Sequence, residues 1–205
     1  MGNKQNKHKA FCSLTEPMQL PQDKINIAVL GGSYTGKTSL CCQYVENKFP
    51  ENEWDVLSYR KEITFEGQQL ILEIVDTFGN EQFTAMRDLF IRESDLILLV
   101  YSVDNRTSFD ELLRILEQIK LVKHKKFYTN SVMVVGNKKD IPEDKRQPGR
   151  SIPTAEGREL AENEEMSFME VSALTREGVD DMFHNLITFA KDPCYRYHQN
   201  VKRAR

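Results

Sequence analysis

Gly31-Gly32-Ser33-Tyr34-Thr35-Gly36-Lys37-Thr38 follows the apolar run Ile25-Asn26-Ile27-Ala28-Val29-Leu30. The octapeptide fits G-x-x-x-x-G-K-[ST], a loop whose backbone N–H groups close around phosphate oxygens because glycines keep side chains out of the way. A helix beginning at Thr38 turns its positive end toward the anion. Lys37 supplies a charge for β- and γ-phosphates, and the Thr38 hydroxyl is placed to ligate Mg²⁺. Gly31, Ser33, Tyr34, Thr35, Gly36 and Ser39 complete the candidate cradle. An idle glycine turn is the bland alternative, and the strand-loop-helix setting argues against it.

The loop identifies a nucleotide but not its base. Asn137-Lys138-Lys139-Asp140 follows the strand-like Val132-Met133-Val134-Val135-Gly136. A carboxylate at Asp140 accepts two hydrogen bonds from the N1–H and exocyclic amine of guanine, whereas adenine offers no such donor pair. Farther on, Ser172-Ala173-Leu174 follows Phe168-Met169-Glu170-Val171, where the Ala173 backbone N–H is placed for the guanine O6. Asp76-Thr77-Phe78-Gly79 leaves the apolar run Leu70-Ile71-Leu72-Glu73-Ile74-Val75, putting the Asp76 carboxylate in reach of Mg²⁺ through water.

Hydrophobic periodicity predicts strands from Lys24 to Leu30, Ser58 to Phe65, Gln68 to Asp76, Asp95 to Val103, Ser131 to Asn137 and Ser167 to Val171. It predicts helices from Thr38 to Lys48, Thr107 to Lys125, Thr154 to Asn163 and Val179 to Lys191. The turn at Glu66-Gly67 makes the second and third strands a hairpin. Pro142 to Pro153 reads as an exposed loop. Alternation of this kind means a mostly parallel sheet covered by helices, with ligands beyond the carboxyl ends of the strands, where every motif above falls.

With 205 residues the chain suits one domain with tails, and 40% hydrophobic residues are enough for a core. No apolar stretch approaches the ~20 residues of a spanning helix, so a soluble or peripherally attached protein is expected. Cys12, Cys41, Cys42 and Cys194 lack zinc or disulfide spacing, which suits a reducing cytoplasm. His8, His124, His184 and His198 are scattered and form no ligand cluster.

Taken together, these motifs resemble the Ras superfamily of small GTPases over about Lys24 to Lys191. Ser58-Tyr59-Arg60-Lys61, Glu81-Gln82-Phe83-Thr84-Ala85-Met86-Arg87-Asp88 and Tyr101-Ser102-Val103 look closer to the Ras and Rap branch than to Rab, Rho or Arf. The resemblance implies an α/β P-loop NTPase fold with a six-stranded sheet, one strand antiparallel, and helices on both faces. It implies a G domain over 24–191, which leaves a flexible basic extension over 1–23 and a basic tail over 192–205 as the expected organisation. It further implies GTP/GDP and Mg²⁺ as cofactors, and effector, exchange-factor and GTPase-activating partners. A monomer with no nucleic-acid partner is expected. Phe49 falls where the family sets an aromatic ring against guanine, and Gly79 where a backbone N–H meets the γ-phosphate.

Departures from the family pattern fall in both switch loops. The first, Pro50-Glu51-Asn52-Glu53-Trp54-Asp55-Val56-Leu57, has no threonine for Mg²⁺ and is about two residues short. Ser58 and Asp55 are the alternative donors, and either requires a rearranged loop. The effector-contacting acidic side chains of Ras also lack clean equivalents. In the second loop, Asn80 stands where the family has the water-orienting glutamine. A displacement of about 1 Å there can cost on the order of 100-fold in rate, so slow intrinsic hydrolysis is expected. Phe78, Ser33 and Tyr34 replace smaller residues. A non-switching module holding GDP as a structural ligand is the rival reading; an ATP-dependent kinase is more remote, since Asn137 to Asp140 argues against adenine.

The sequence ends Lys202-Arg203-Ala204-Arg205, without the family's prenylation cysteine. Met1-Gly2-Asn3-Lys4-Gln5-Asn6 puts Gly2 where N-myristoylation needs it, although Asn6 replaces the preferred Ser or Thr. One acyl chain holds a membrane only reversibly, and Cys12 palmitoylation or basic charge would supplement it. Lys4, Lys7, Lys9, Arg196, Lys202, Arg203 and Arg205 are seven positive tail charges; set against the chain's net −3 they leave about −10 elsewhere. That segregation suits the cytoplasmic face of an anionic membrane. Two solvated, lipid-free tails are the alternative.

Overall fold

The structure, a computed structural model, describes residues 24–50, 58–77, 84–124, 131–146, 149 and 151–191. Six strands form one sheet: β1 (Lys24–Gly31), β2 (Ser58–Phe65), β3 (Gln68–Asp76), β4 (Leu96–Ser102), β5 (Val132–Asn137) and β6 (Ser167–Glu170), in the order β2-β3-β1-β4-β5-β6. Only β2 runs antiparallel to its neighbour. Its hairpin with β3 turns at Glu66 and Gly67, with φ of 50° and 81°, the left-handed pair that a tight right-twisted hairpin requires.

The helices among the described residues are α1 (Lys37–Glu46), α2 (Thr84–Glu93), α3 (Arg106–Val122), α4 (Thr154–Asn163) and α5 (Val179–Lys191), with a 3₁₀ turn at Glu143–Lys145. They cover both faces of the sheet. Because side chains alternate across a strand, β1 feeds two cores at once. Ile25, Ile27 and Val29 join Leu40 of α1 and Phe183, Leu186 and Ile187 of α5. Ala28 and Leu30 join Leu112, Ile115 and Ile119 of α3 on the other face. β4 divides the same way, Leu96, Leu98 and Val100 from Ile97, Leu99 and Tyr101, and all six are fully buried. Two-sided burial is why these strands read as unbroken apolar runs. Tyr44 stacks on Phe183 with ring centroids 3.8 Å apart, fastening α1 to α5.

The expected strands and the β2–β3 hairpin are present, with boundary shifts of a residue or two. α1 stops at Glu46 rather than Lys48 because Asn47 takes φ 57° and closes the helix in the left-handed conformation. α3 ends at Val122 rather than Lys125, since Lys123 is extended. The periodicity reading did not include α2. Its Met86 and Leu89 are 42% and 47% exposed, while Ile91 is buried. With so much apolar surface facing outward, the helix lacks the clean stripe that marks an amphipathic segment. The expected loop from Pro142 to Pro153 contains the short 3₁₀ turn. The tails at 1–23 and 192–205, with Gly2 and Cys12, lie outside the described residues.

Candidate functional site

β1 lies in the middle of the sheet, with β3 on one side and β4 on the other. Connections diverge there, which opens a crevice at the carboxyl end of the strand. The phosphate loop begins in that crevice. Gly31 ends β1 so close to β4 that a Cβ on it would lie 2.1 Å from the Val100 carbonyl oxygen. Gly36 has φ 86°, and a Cβ there would lie 2.4 Å from Asn137 Nδ2. Between them Tyr34 takes φ 61° and is 82% exposed. A non-glycine residue held left-handed costs about 1 kcal/mol, so the loop keeps its curvature at a local expense.

Lys37 is buried and donates from Nζ to the Gly32 carbonyl at 2.7 Å; Thr35 Oγ1 donates to the same oxygen at 3.0 Å. Burial pulls the Lys37 ammonium below its ordinary range, and the carboxylates of Asp76 and then Glu111 oppose that pull. Thr38 Oγ1 donates to Asp76 Oδ2 at 2.5 Å. Burial pushes the Asp76 carboxyl up, against the Thr38 hydrogen bond and the Lys37 charge. Asp76 Oδ1 is buried without a hydrogen-bond partner. A buried carboxylate oxygen left over beside a hydroxyl is a hard oxygen pair that suits Mg²⁺. Thr77, next along, donates to the Val29 carbonyl at 2.8 Å and fixes where β3 leaves the sheet.

Asn137, at the end of β5 and 1% exposed, joins the loops. Its Nδ2 donates to the Thr35 carbonyl at 2.8 Å, and its Oδ1 accepts the Ala173 N–H at 3.0 Å. Asp140 Oδ1 accepts from Ser172 Oγ at 2.5 Å, and Ser172 Oγ also accepts the Thr175 N–H. Each carboxylate oxygen has two lone-pair positions, so this bond leaves Asp140 able to receive a base edge. Lys138 takes φ 67°, and its ammonium lies 3.7 Å from Asp104 Oδ1. Lys139 N–H donates to the Val171 carbonyl, which ties the two base-side loops backbone to backbone.

The structure therefore gathers Gly31, Ser33, Tyr34, Thr35, Gly36, Lys37, Thr38 and Ser39 with Asp76, and brings Asn137 against Ala173 beside Asp140 and Ser172. The Ala173 N–H, assigned from sequence to a guanine oxygen, already serves Asn137. Leu174 is 58% exposed and Phe49 is 44% exposed. Gly79, Asn80, Phe78 and residues 51–57 lie outside the described residues. Sequence reading missed Glu111 and Asp104, which carry no motif and reach the site only through the fold, and it did not foresee the bond from Thr77, inside the Asp76-Thr77-Phe78-Gly79 stretch, to β1. Cys41 and Cys42 are buried in α1, where burial pushes both thiols up. No cluster of three metal-ligating His, Cys, Asp or Glu occurs among the described residues.

The family model for the Ras family matches residues 26–192. The chain belongs to the Ras family. Within it, the chain is 38% identical over 174 residues to "Ras-like protein 1" of Saccharomyces cerevisiae, an alignment covering 83% of this chain and 54% of that protein. The chain thus spans about half the length of the curated relative it matches. As a Ras superfamily small GTPase, it carries its phosphate loop and N-K-x-D sequence in the family's order. Among the described residues, no helix is long and apolar enough to cross a membrane.

Proposed function

We propose that this Ras family chain is a guanine-nucleotide switch, binding GDP and GTP with Mg²⁺ and hydrolysing GTP slowly to control partner recruitment. The observation that carries the reading is Asn137, whose two hydrogen bonds join the phosphate loop to both base-side loops. That link lets one ligand with a phosphate end and a guanine end engage all three loops. Gly31, Gly36 and the buried Lys37 form the phosphate cradle, with Ser33, Tyr34, Thr35 and Ser39 around it. Asp140, Lys138, Ser172, Ala173, Leu174 and Phe49 surround the base. Thr38 and Asp76 hold Mg²⁺, which supplies charge neutralisation to the phosphates when bound. Gly79 serves the γ-phosphate, and Asn80 orients water less well than a longer amide would.

A second reading has one feature in its favour: residues 50–57 contain no threonine, so the first switch loop lacks the expected γ-phosphate and metal donor. On that reading the protein holds GDP alone and does not switch. The affinities of nucleotide-free protein for GDP, a nonhydrolysable GTP analogue and ATP, measured with Mg²⁺, separate the two. Comparable tight affinities for both guanine nucleotides support the switch. Strong preference for GDP supports the static module, and equal ATP binding refutes the guanine assignment. Effector, exchange-factor and GTPase-activating proteins are the partner classes proposed. Gly2 acylation, reinforced by Cys12 and the basic tails, is the proposed route to a membrane, and the intact mass of native protein tests it.

A further inference from the structure

Gly32 has no left-handed φ, so backbone freedom does not explain a glycine there. Space does. A Cβ on Gly32 would lie 2.1 Å from Glu111 Oε2 and 3.0 Å from Glu111 Cδ. Glu111 belongs to α3, which Leu112 and Ile115 anchor in the core beneath β1. The helix is therefore fixed, and it presses a carboxylate against the outer side of the phosphate loop. On the other side of the same residue, the Gly32 carbonyl accepts the Lys37 ammonium at 2.7 Å. Since Lys37 is the residue that serves the β- and γ-phosphates, Gly32 marks the γ end of the cradle. The Glu111 carboxylate also acts on Lys37 electrostatically, second only to Asp76 among the acids that do.

A negative charge one residue's thickness from the γ end repels an incoming anion. A diphosphate ends short of that point, whereas a triphosphate adds its charge there. We propose that Glu111 sets the balance between nucleoside diphosphate and triphosphate, holding affinity for the triphosphate below what the loop alone would give. Glu111 is a positioning and specificity residue, acting through the field at Gly32 and Lys37. This inference rests on the guanine-nucleotide reading above. It gives a fixed structural element a bias toward the diphosphate state, separate from any effect of the switch loops.

The test is the ratio of affinities for a nonhydrolysable GTP analogue and GDP, measured on the full chain with Mg²⁺. Glu111→Gln, nearly isosteric, should raise the ratio about fivefold at low salt, as expected for one charge a few ångströms away whose field is screened about as strongly as in bulk water. The gain should shrink as ionic strength rises. Glu111→Asp keeps the charge and should retain the original ratio. Asp110→Asn, on an exposed neighbour, should leave it unchanged. Gly32→Ala displaces the carboxylate with a methyl group and should move the ratio the same way as Glu111→Gln. Retained GDP affinity reports an intact fold. A ratio within twofold of the original in both Glu111→Gln and Gly32→Ala, with GDP still bound, would overturn this inference alone. If the unsubstituted protein binds no guanine nucleotide, the functional reading falls and this inference falls with it.

Discussion

Replacing Asn137 by alanine should uncouple the two ends of the site and destabilise the whole domain. The side chain is 1% exposed and makes two buried hydrogen bonds, to the Thr35 carbonyl at 2.8 Å and from the Ala173 N–H at 3.0 Å. Thr35 and Ala173 are themselves 0% and 3% exposed, so solvent does not replace the lost partner. A buried backbone group left without its bond costs about 1–3 kcal/mol, and two such groups together, partly relieved by relaxation of the loops, give about 3 kcal/mol. For a domain of this size that corresponds to a melting temperature lower by roughly 6–12 °C. Thermal and urea unfolding of the GDP-saturated protein measure it, with GDP affinity followed in parallel. Affinity should fall at least tenfold, since the loops no longer hold one another in place. Unfolding within about 1 kcal/mol of the unsubstituted protein would refute the argument that Asn137 holds Thr35 and Ala173 together.

Asp140→Asn should shift preference from guanine to xanthine nucleotides, because the amide offers a donor where the carboxylate accepted; unchanged GTP binding would sink the base assignment. Arg106 Nη2 donates to Glu156 Oε2 at 2.7 Å, joining the start of α3 to α4, and that hydrogen bond holds the Glu156 carboxyl below its ordinary value of 4.5. The resulting stabilisation is present above about pH 4.5 and is lost as pH falls through the lower folded value. Both side chains are more than a third exposed, which limits the effect to about 1 kcal/mol or less. Urea unfolding from pH 6 to 3 should show Glu156→Gln flattening this part of the profile; an unaltered profile would remove the pair from the account. Tyr101→Phe should raise stability by about 1 kcal/mol, since Tyr101 Oη is buried with no hydrogen-bond partner. A loss of stability in thermal melts would show that the hydroxyl is bonded.

Much of this architecture was legible because the chemistry and the fold use the same local signals. The phosphate loop is contiguous in sequence, and its glycines, lysine and threonine announce it. Asn137 and Asp140 were legible as a base-binding group, but the structural duty of Asn137 was not, since its partner Thr35 lies 102 residues away. Glu111 was illegible for the same reason: nothing in a helical glutamate between Asp110 and Leu112 says that the helix sets it against Gly32. The fold class followed from alternating apolar runs, yet α2 escaped because half of its large apolar side chains face outward. Local patterns report what a segment buries against its own backbone period, and they fall silent where a distant element supplies the contact.

The two-faced burial of β1 has a further consequence, which is one of parity. The apolar residues Ile25, Ile27 and Val29 enter one core, and Ala28 and Leu30 the other. Inserting or deleting a single residue before Gly31 would send every apolar side chain of the strand to the wrong face. The phosphate loop could advance or retreat only in steps of two residues, roughly 6.6 Å at the rise of a strand. That step is longer than the spacing between successive phosphates, so the packing of the domain leaves the loop a single height above the sheet. Variation in this site must then come from side chains around the loop, such as Tyr34 and Glu111, and not from moving the loop itself.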